Sequence, residues 1–117
     1  MEYLKNLLNY HPYELNSKKK NILLIKTIHY LTGFHYTKCI DYNKLIKGFN
    51  LKKYFSLEDY PFISTRLFKK YDLFSTNKKN IIKVLTSSGT SGQNLSKIYL
   101  DPITSKNQKI VLSQIIY

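Results

Sequence analysis

The stretch VLTSSGTSGQNLSKIYLD, residues 84–101, decides how the whole chain is interpreted. Residues 81–86 form a β-branched, alternating run and predict one strand, and residues 97–100 predict a second, shorter strand. The ten residues between them, 87–96, are mostly Ser, Thr, Gly, Gln and Asn. A minimal hairpin turn needs only about two to five residues. The extra length therefore indicates a loop with a function of its own.

This loop carries the groups that bind an anion. Gly89 and Gly92 allow close approach of the backbone, so that successive amide N–H groups can converge on one point. Hydroxyl donors and one cation accompany them: Ser87, Ser88, Thr90, Ser91 and Lys97. The combination suits a phosphate group, although a Ser/Gly loop without a ligand has the same composition. The spacing of the glycines excludes both the mononucleotide P-loop and the dinucleotide-binding pattern.

The sequence around the loop predicts helices before and after it. Apolar spacing predicts a short helix over 3–9, a mostly buried helix over 18–32 that stops at Gly33, and a third over 36–47 that stops at Gly48. Residues 49–80 predict an irregular connection with one helical turn. Asp101 followed by Pro102 is typical of a helix start. The final helix would then carry one apolar face: Ile103, Ile110, Val111 and Ile115.

The charge of the chain supports a competing hypothesis. The 117 residues carry a formal net charge of +12. Such an excess is typical of nucleic-acid or anionic-surface binding modules. However, only Arg66 is an arginine, whereas groups that clamp phosphates or read bases are usually arginines. Lys, Asn, Ile and Tyr are all abundant and all have AT-rich codons, so codon bias is the favoured explanation and nucleic acid is disfavoured as a partner.

Cysteine usage and hydropathy give further expectations. Cys39 is the single cysteine, which excludes an internal disulfide and favours a reducing compartment. No apolar run approaches the roughly 18 residues of a membrane span, and no signal-peptide pattern begins the chain, so we expect a cytoplasmic protein without a membrane span. His35 and Cys39 have a spacing that shares one helix face, with His29 nearby. A core or surface role is favoured there over a metal site, which needs more ligands.

The segment TSSGTSG, residues 86–92, resembles the phosphate-binding loop of the adenylate-forming enzymes, whose pattern is Thr-Ser-Gly-Thr-Thr-Gly-x-Pro-Lys. The doubled serine and the following SKIYLDPITSKNQKIVLSQII are closer to one branch, the acyl-protein synthetases of the bacterial luciferase system, which are related to phenylacetate–CoA ligase. Upstream, YPFISTRLFKKYDLFS resembles a segment of the same branch. Residues 60–75 and 84–116 thus match in the right order. Asn94 stands where the wider superfamily has proline, and Lys97 lies farther from the last glycine than the superfamily lysine does.

The resemblance implies a fold and a reaction. The fold would be α/β, an N-terminal helical segment followed by the first β-hairpin of an incomplete adenylate-forming domain. The chain, 1–117, would divide into a helical part (1–48), an irregular connection (49–80) and a strand, phosphate loop, strand and helix (81–117). The reaction would be ATP-dependent activation of a long-chain fatty acid as an acyl-adenylate, then transfer to a protein thiol or similar acceptor. The isolated 117 residues would be inactive.

The resemblance also implies the groups that take part. The loop residues Ser87, Ser88, Gly89, Thr90, Ser91, Gly92 and Lys97 would hold the phosphates of ATP, and none of them would be catalytic. Ligands for Mg²⁺ are expected outside this chain. A fatty acid would be the substrate, with an acyl-transferase or reductase as a further partner. Cys39 does not match the family's acyl-accepting cysteine. A stand-alone basic binding module and a non-catalytic truncated remnant remain the alternatives.

Overall fold

The computed structural model describes residues 2–87 and 95–116. Over these residues the fold is mixed α/β, with a helical first part followed by a two-stranded antiparallel hairpin, as expected from the sequence. The helices are α1 (Glu2–Leu8), α2 (Ser17–Lys38), α3 (Ile40–Leu45), α4 (Leu67–Lys70) and α5 (Pro102–Ile116), and the strands are β1 (Lys83–Thr86) and β2 (Lys97–Leu100). Within the described ranges, no helix is both long and apolar enough to span a membrane.

Helix α2 is the longest element, and the expectation that it is mostly buried is wrong. Ile22 is 49% exposed, and the two buried positions of the helix are Thr27 and Thr32. Both hydroxyls donate to the carbonyl four residues earlier, at 2.8 and 2.7 Å, so neither buried oxygen lacks a partner. Because apolar residues occur on several faces of α2, most of them are only half-buried.

The predicted ends of the first helices are also corrected. Gly33 lies inside α2 and does not end it, since a single glycine only lowers helix propensity, by about 1 kcal/mol relative to alanine. The helix ends instead at Cys39, whose backbone is extended (φ −112°, ψ 109°). Its N–H still bonds to the carbonyl of His35 at 2.8 Å, and α3 follows directly. Gly48, after α3, has a positive φ of 92°, which favours glycine there.

The connection over 49–80 contains more regular structure than predicted. Helix α4 supplies the predicted helical turn, and two 3₁₀ turns lie at Leu57–Asp59 and Lys78–Asn80. Tyr60 is the buried aromatic residue of this connection. Its hydroxyl bonds to His29 Nδ1 on α2 at 2.9 Å, and its ring contacts Phe49 and Phe55. The connection is therefore anchored to α2 by one aromatic cluster.

Helix α5 begins as the sequence predicts. The Thr104 N–H donates to Asp101 Oδ1 at 2.7 Å, and Pro102 is the first helical residue. The helix touches α1 through Gln114, whose side-chain amide donates to the carbonyl of Leu8 at 3.2 Å. Its apolar positions are largely exposed, among them Ile103, Ile110 and Ile115. This exposed apolar surface is consistent with the expected incomplete domain.

Candidate functional site at the hairpin mouth

The two strands bring both ends of the Ser/Gly segment together. In the hairpin, Lys83 pairs with Leu100 and Thr86 with Lys97. One further pair continues the ladder: the Ser87 N–H donates to the carbonyl of Ser96 at 3.1 Å. The Ser96 N–H in turn donates to the Ser87 hydroxyl oxygen, also at 3.1 Å. Residues 88–95 thus lie between Ser87 and Ser96, and we call this hydrogen-bonded pair the hairpin mouth.

The Ser87 hydroxyl at this mouth can still donate a hydrogen bond. A serine hydroxyl has one donor and can accept two hydrogen bonds. The bond from Ser96 uses one acceptor position, so the O–H of Ser87 is still able to donate to an anion. The side chain is exposed, which leaves such a ligand access.

Lys97 lies on the opposite face of the hairpin. Successive residues of a strand point to opposite faces, and directly paired residues share a face. Since Lys97 pairs with Thr86, its side chain starts on the face opposite to that of Ser87. The two groups can meet at one phosphate only beyond the strand ends, where the long, exposed lysine side chain can curve toward the loop.

Most of the predicted phosphate-binding residues lie outside the described residues. These are Ser88, Gly89, Thr90, Ser91 and Gly92, together with Asn94. Of the predicted set, Ser87 and Lys97 are described, and they stand on neighbouring strands at the mouth. The prediction of a phosphate-binding loop stays a prediction.

The hairpin also contacts residues 72–74, which the sequence analysis did not assign to the site. The Tyr99 hydroxyl on β2 donates to Asp72 Oδ1 at 2.7 Å, and its ring meets Phe74 edge-on at 5.2 Å. This hydrogen bond to Asp72 is the main reason that the pKa of Tyr99 is raised. Asp72 and Phe74 both lie within residues 60–75, the upstream segment on which the family resemblance rests. No local pattern marks Asp72 as a contact of a strand 27 residues away.

A second polar cluster lies between α2 and the same segment. His35 Nδ1 and the Ser75 hydroxyl are 2.6 Å apart, and the His35 and Tyr42 rings meet edge-on at 6.1 Å. Burial lowers the pKa of His35. Burial raises the pKa of Tyr42, and a hydrogen bond with Thr32 partly opposes that rise.

The same cluster contains His35, whose spacing from Cys39 raised the possibility of a metal site. Cys39 is buried, and His35 is bonded to a serine and not to another metal-ligating group. In the part of the chain that the structure describes, no group of three or more His, Cys, Asp or Glu side chains is placed to hold a metal ion.

Comparison with known proteins places the chain in a family. Neither the curated proteins nor the solved structures give a significant match. The family model described as "Acyl-protein synthetase, LuxE" matches residues 2–116, which include α1 through α5 and the hairpin mouth. Since the match covers nearly the whole chain, this protein belongs to the LuxE acyl-protein synthetase family.

Proposed function

We propose that this chain supplies the ATP-phosphate-binding loop of a cytoplasmic ligase that activates a long-chain fatty acid as an acyl-adenylate. The fatty-acid carboxylate would attack the α-phosphorus of ATP and expel pyrophosphate. A protein thiol would then attack the acyl carbon, so that a thioester forms and AMP leaves. An acyl-transferase would supply the acid, or a reductase would consume the acyl product. Family membership over residues 2–116 is the observation that carries this proposal.

The hairpin mouth supports the loop's part in this reaction. Reactions at phosphoryl groups depend mainly on positioning and on stabilisation of charge. A loop whose two ends are fixed by the Ser87–Ser96 pair has less conformational freedom to lose when it binds a ligand. Ser87 would donate its remaining O–H to the β- or γ-phosphate, and Lys97 would approach from the other face. The remaining contacts would come from Ser88, Thr90, Ser91 and the backbone at Gly89 and Gly92.

Mg²⁺ would neutralise phosphate charge in this reaction, and we place its ligands outside this chain. Two carboxylates near the hairpin already have partners, because Asp72 accepts from Tyr99 and Asp101 caps α5. The division into 1–48, 49–80 and 81–117 is part of the same proposal. The first part packs helices, the second ties them to the hairpin, and the third presents the loop.

Equilibrium dialysis of the 117-residue chain against radiolabelled ATP tests the loop. We expect weak binding that inorganic tripolyphosphate competes for and adenosine does not. Replacing two loop hydroxyls, Thr90→Val with Ser91→Ala, should weaken binding by about tenfold or more, since each hydrogen bond to a charged group contributes about 1.5–3 kcal/mol. The matched control is Ser113→Ala on α5, whose hydroxyl bonds to the carbonyl of its own helix at Ile110. It should bind ATP as the wild type does.

Two outcomes would count against the proposed loop. One is equal ATP binding by the wild type and the Thr90/Ser91 variant at unchanged melting temperature. The other is competition by adenosine alone, which would place recognition at the base. Fatty-acid-dependent ATP–pyrophosphate exchange by these 117 residues in isolation would contradict the proposal that the other catalytic parts lie outside them.

The net charge of +12 supports a second candidate, a basic module that binds nucleic acid or another anionic surface. Such binding is strongest at low salt and falls steeply as salt is added. Filter binding of labelled DNA and RNA at about 50 mM salt separates the candidates. Submicromolar binding with a steep salt slope would favour the basic module. No binding under these conditions would leave the ligase proposal as the better explanation of the chain.

A further inference from the structure

A cavity of about 500 Å³ lies between α2, the segment 61–76, β2 and the start of α5. Small-molecule sites typically measure about 300–1,000 Å³, so the volume is that of a ligand site. Its residues on α2 run from Ile28 to His35, and Cys39 lies just past the end of the helix. At a rise of about 1.5 Å per residue, these seven steps extend the wall over about 10 Å of the helix axis. The cavity therefore follows α2 for about two turns.

The wall is mostly apolar, with a polar patch between α2 and the segment 61–76 and further polar groups at the start of α5. Ile28, Leu31, Phe34, Ile63, Phe68 and Leu73 supply aliphatic and aromatic surface. The polar patch is the cluster described above, in which His35 bonds to Ser75 and packs against Tyr42. An elongated ligand would place its head group at this patch and its apolar part along the aliphatic and aromatic wall.

The charge of the wall distinguishes between ligand classes. The chain contains 19 Lys and Arg residues, yet none of the described residues that line the cavity is a Lys or Arg. Asp101 is the carboxylate among the described lining residues, and it already accepts from Thr104 as the cap of α5. A buried anion needs a partner of opposite charge, and the described residues of the wall include no Lys or Arg to supply one. A neutral ligand fits this environment.

The His35–Ser75 pair can hydrogen-bond to either kind of neutral head group. If Ser75 donates to His35 Nδ1, the Nε2–H remains as a donor and the serine oxygen as an acceptor. If Nδ1–H donates to Ser75 instead, the serine O–H remains as a donor and Nε2 as an acceptor. Both tautomers can therefore bind an alcohol or a carbonyl group.

We propose that this cavity binds a neutral molecule with a long aliphatic chain, whose alcohol or carbonyl head group hydrogen-bonds to His35 and Ser75. The site is separate from the hairpin mouth and its occupation requires no ATP. The aliphatic chain matches the apolar wall of the cavity, and the absence of charge matches the lack of a Lys or Arg partner for an anion among the described lining residues. Failure of ATP binding at the loop would leave this proposal standing.

Cys39 provides a direct readout because it lines the cavity and is the single cysteine of the chain. Methyl methanethiosulfonate labels thiols, and intact mass follows the rate. At ten times its dissociation constant, 1-dodecanol should slow labelling by about tenfold, since only the free protein reacts. Dodecanoate and dodecyltrimethylammonium, each below its aggregation concentration, should protect far less. Equal labelling rates with and without 1-dodecanol, or equal protection by all three probes, would overturn the proposal.

Two variants test whether protection arises in the cavity. Ile63→Trp fills the space and should abolish protection by 1-dodecanol, whereas Ile103→Trp, on the exposed surface of α5, should retain it. Ser75→Ala keeps the space but removes a head-group partner, and should weaken 1-dodecanol binding by about fivefold. Ser113→Ala is its control. If Ile63→Trp fails to fold, unchanged affinity in Ser75→Ala would still contradict the proposed position of the head group.

Discussion

The helical part of the molecule and the hairpin end are held by different kinds of contact. On the helical part, Tyr60 of the connection 49–80 is buried against α2, bonds to His29 and contacts two phenylalanine rings. At the hairpin end, the strands are joined mainly by their own backbone ladder, and Val84 and Ile98 are exposed. One part is stabilised by side chains from distant segments, and the other mostly by local hydrogen bonds.

The difference bears on where a ligand loop can be placed. Segments with few buried apolar contacts open locally at lower free energy than packed segments do. The proposed phosphate loop lies between β1 and β2, at the sparsely packed end. The cavity for a neutral ligand lies at the boundary of the two parts, where Leu100 of β2 is buried. Each of the following predictions tests one side of this comparison.

The largest effect is expected at Leu100, the point where the hairpin is packed against the rest of the molecule. Leu100 is 4% exposed, whereas Ile98, two residues earlier on the same face of β2, is 46% exposed. Leu100→Ala should lower the free energy of unfolding by about 2–4 kcal/mol, because it removes buried methyl groups and leaves a space. Ile98→Ala should lower it by less than about 1 kcal/mol. Urea unfolding followed by circular dichroism measures both, and similar losses would contradict the comparison.

The next effect is expected at Tyr60, where the connection packs on the helical part. Tyr60→Phe keeps the buried ring but removes the hydroxyl that bonds to His29 Nδ1 and accepts from the Phe55 N–H at 3.4 Å. We expect a loss of about 1–2 kcal/mol, because polar groups of the half-buried partners lose their bond. Tyr13→Phe is the control, since Tyr13 is 88% exposed. Equal stability of the two variants in urea would show that the ring contacts alone anchor the connection.

The elements with strong local signals were predicted from the sequence. The run 97–100 gives β2 with the same bounds, and Asp101 with Pro102 gives the start of α5. Turn length and capping depend on a few adjacent residues, so they can be recognised without knowing the fold. The Ser/Gly segment of the candidate site was recognised for the same reason.

The elements that depend on distant partners were not predicted. Helix α2 continues past Gly33, where His35 finds a partner forty residues away at Ser75. The buried positions of α2 are threonines, because their hydroxyls bond within the helix and leave a small side chain at the contact. Asp72 and Ser75, which tie the connection to the hairpin and to α2, carry no signal in their own neighbourhood.

A smaller effect is expected at the cap of α5, which belongs to the hairpin end. Asp101→Ala removes the oxygen that accepts from Thr104 and should cost about 1 kcal/mol. Asp101→Asn should cost much less, because asparagine caps helices about as well as aspartate does. Thermal unfolding measures both variants. If the melting temperatures of the two variants fall equally, the negative charge near the N-terminus of α5 is the stabilising feature, and the hydrogen bond is not.

The smallest effect is a dependence of stability on pH at His35, where the two parts meet. Burial lowers the pKa of His35 in the folded protein, so below about pH 6.5 the unfolded chain binds more protons than the folded one. Stability is therefore fully present above that pH and falls as the pH drops toward the folded pKa. Cys39, Tyr42 and Asp101 are further titratable residues that line the same cavity as His35.

The variant His35→Gln isolates this contribution. Urea unfolding between about pH 7.5 and 5.5 should show a shallower loss of stability in the variant than in the wild type, because glutamine does not titrate. The variant should also be less stable at the upper end of the range, where the bond between neutral His35 and Ser75 is intact in the wild type. Parallel curves would mean that His35 is as open to solvent in the folded protein as in the unfolded chain. The cavity would then lack the apolar environment that its lining residues indicate.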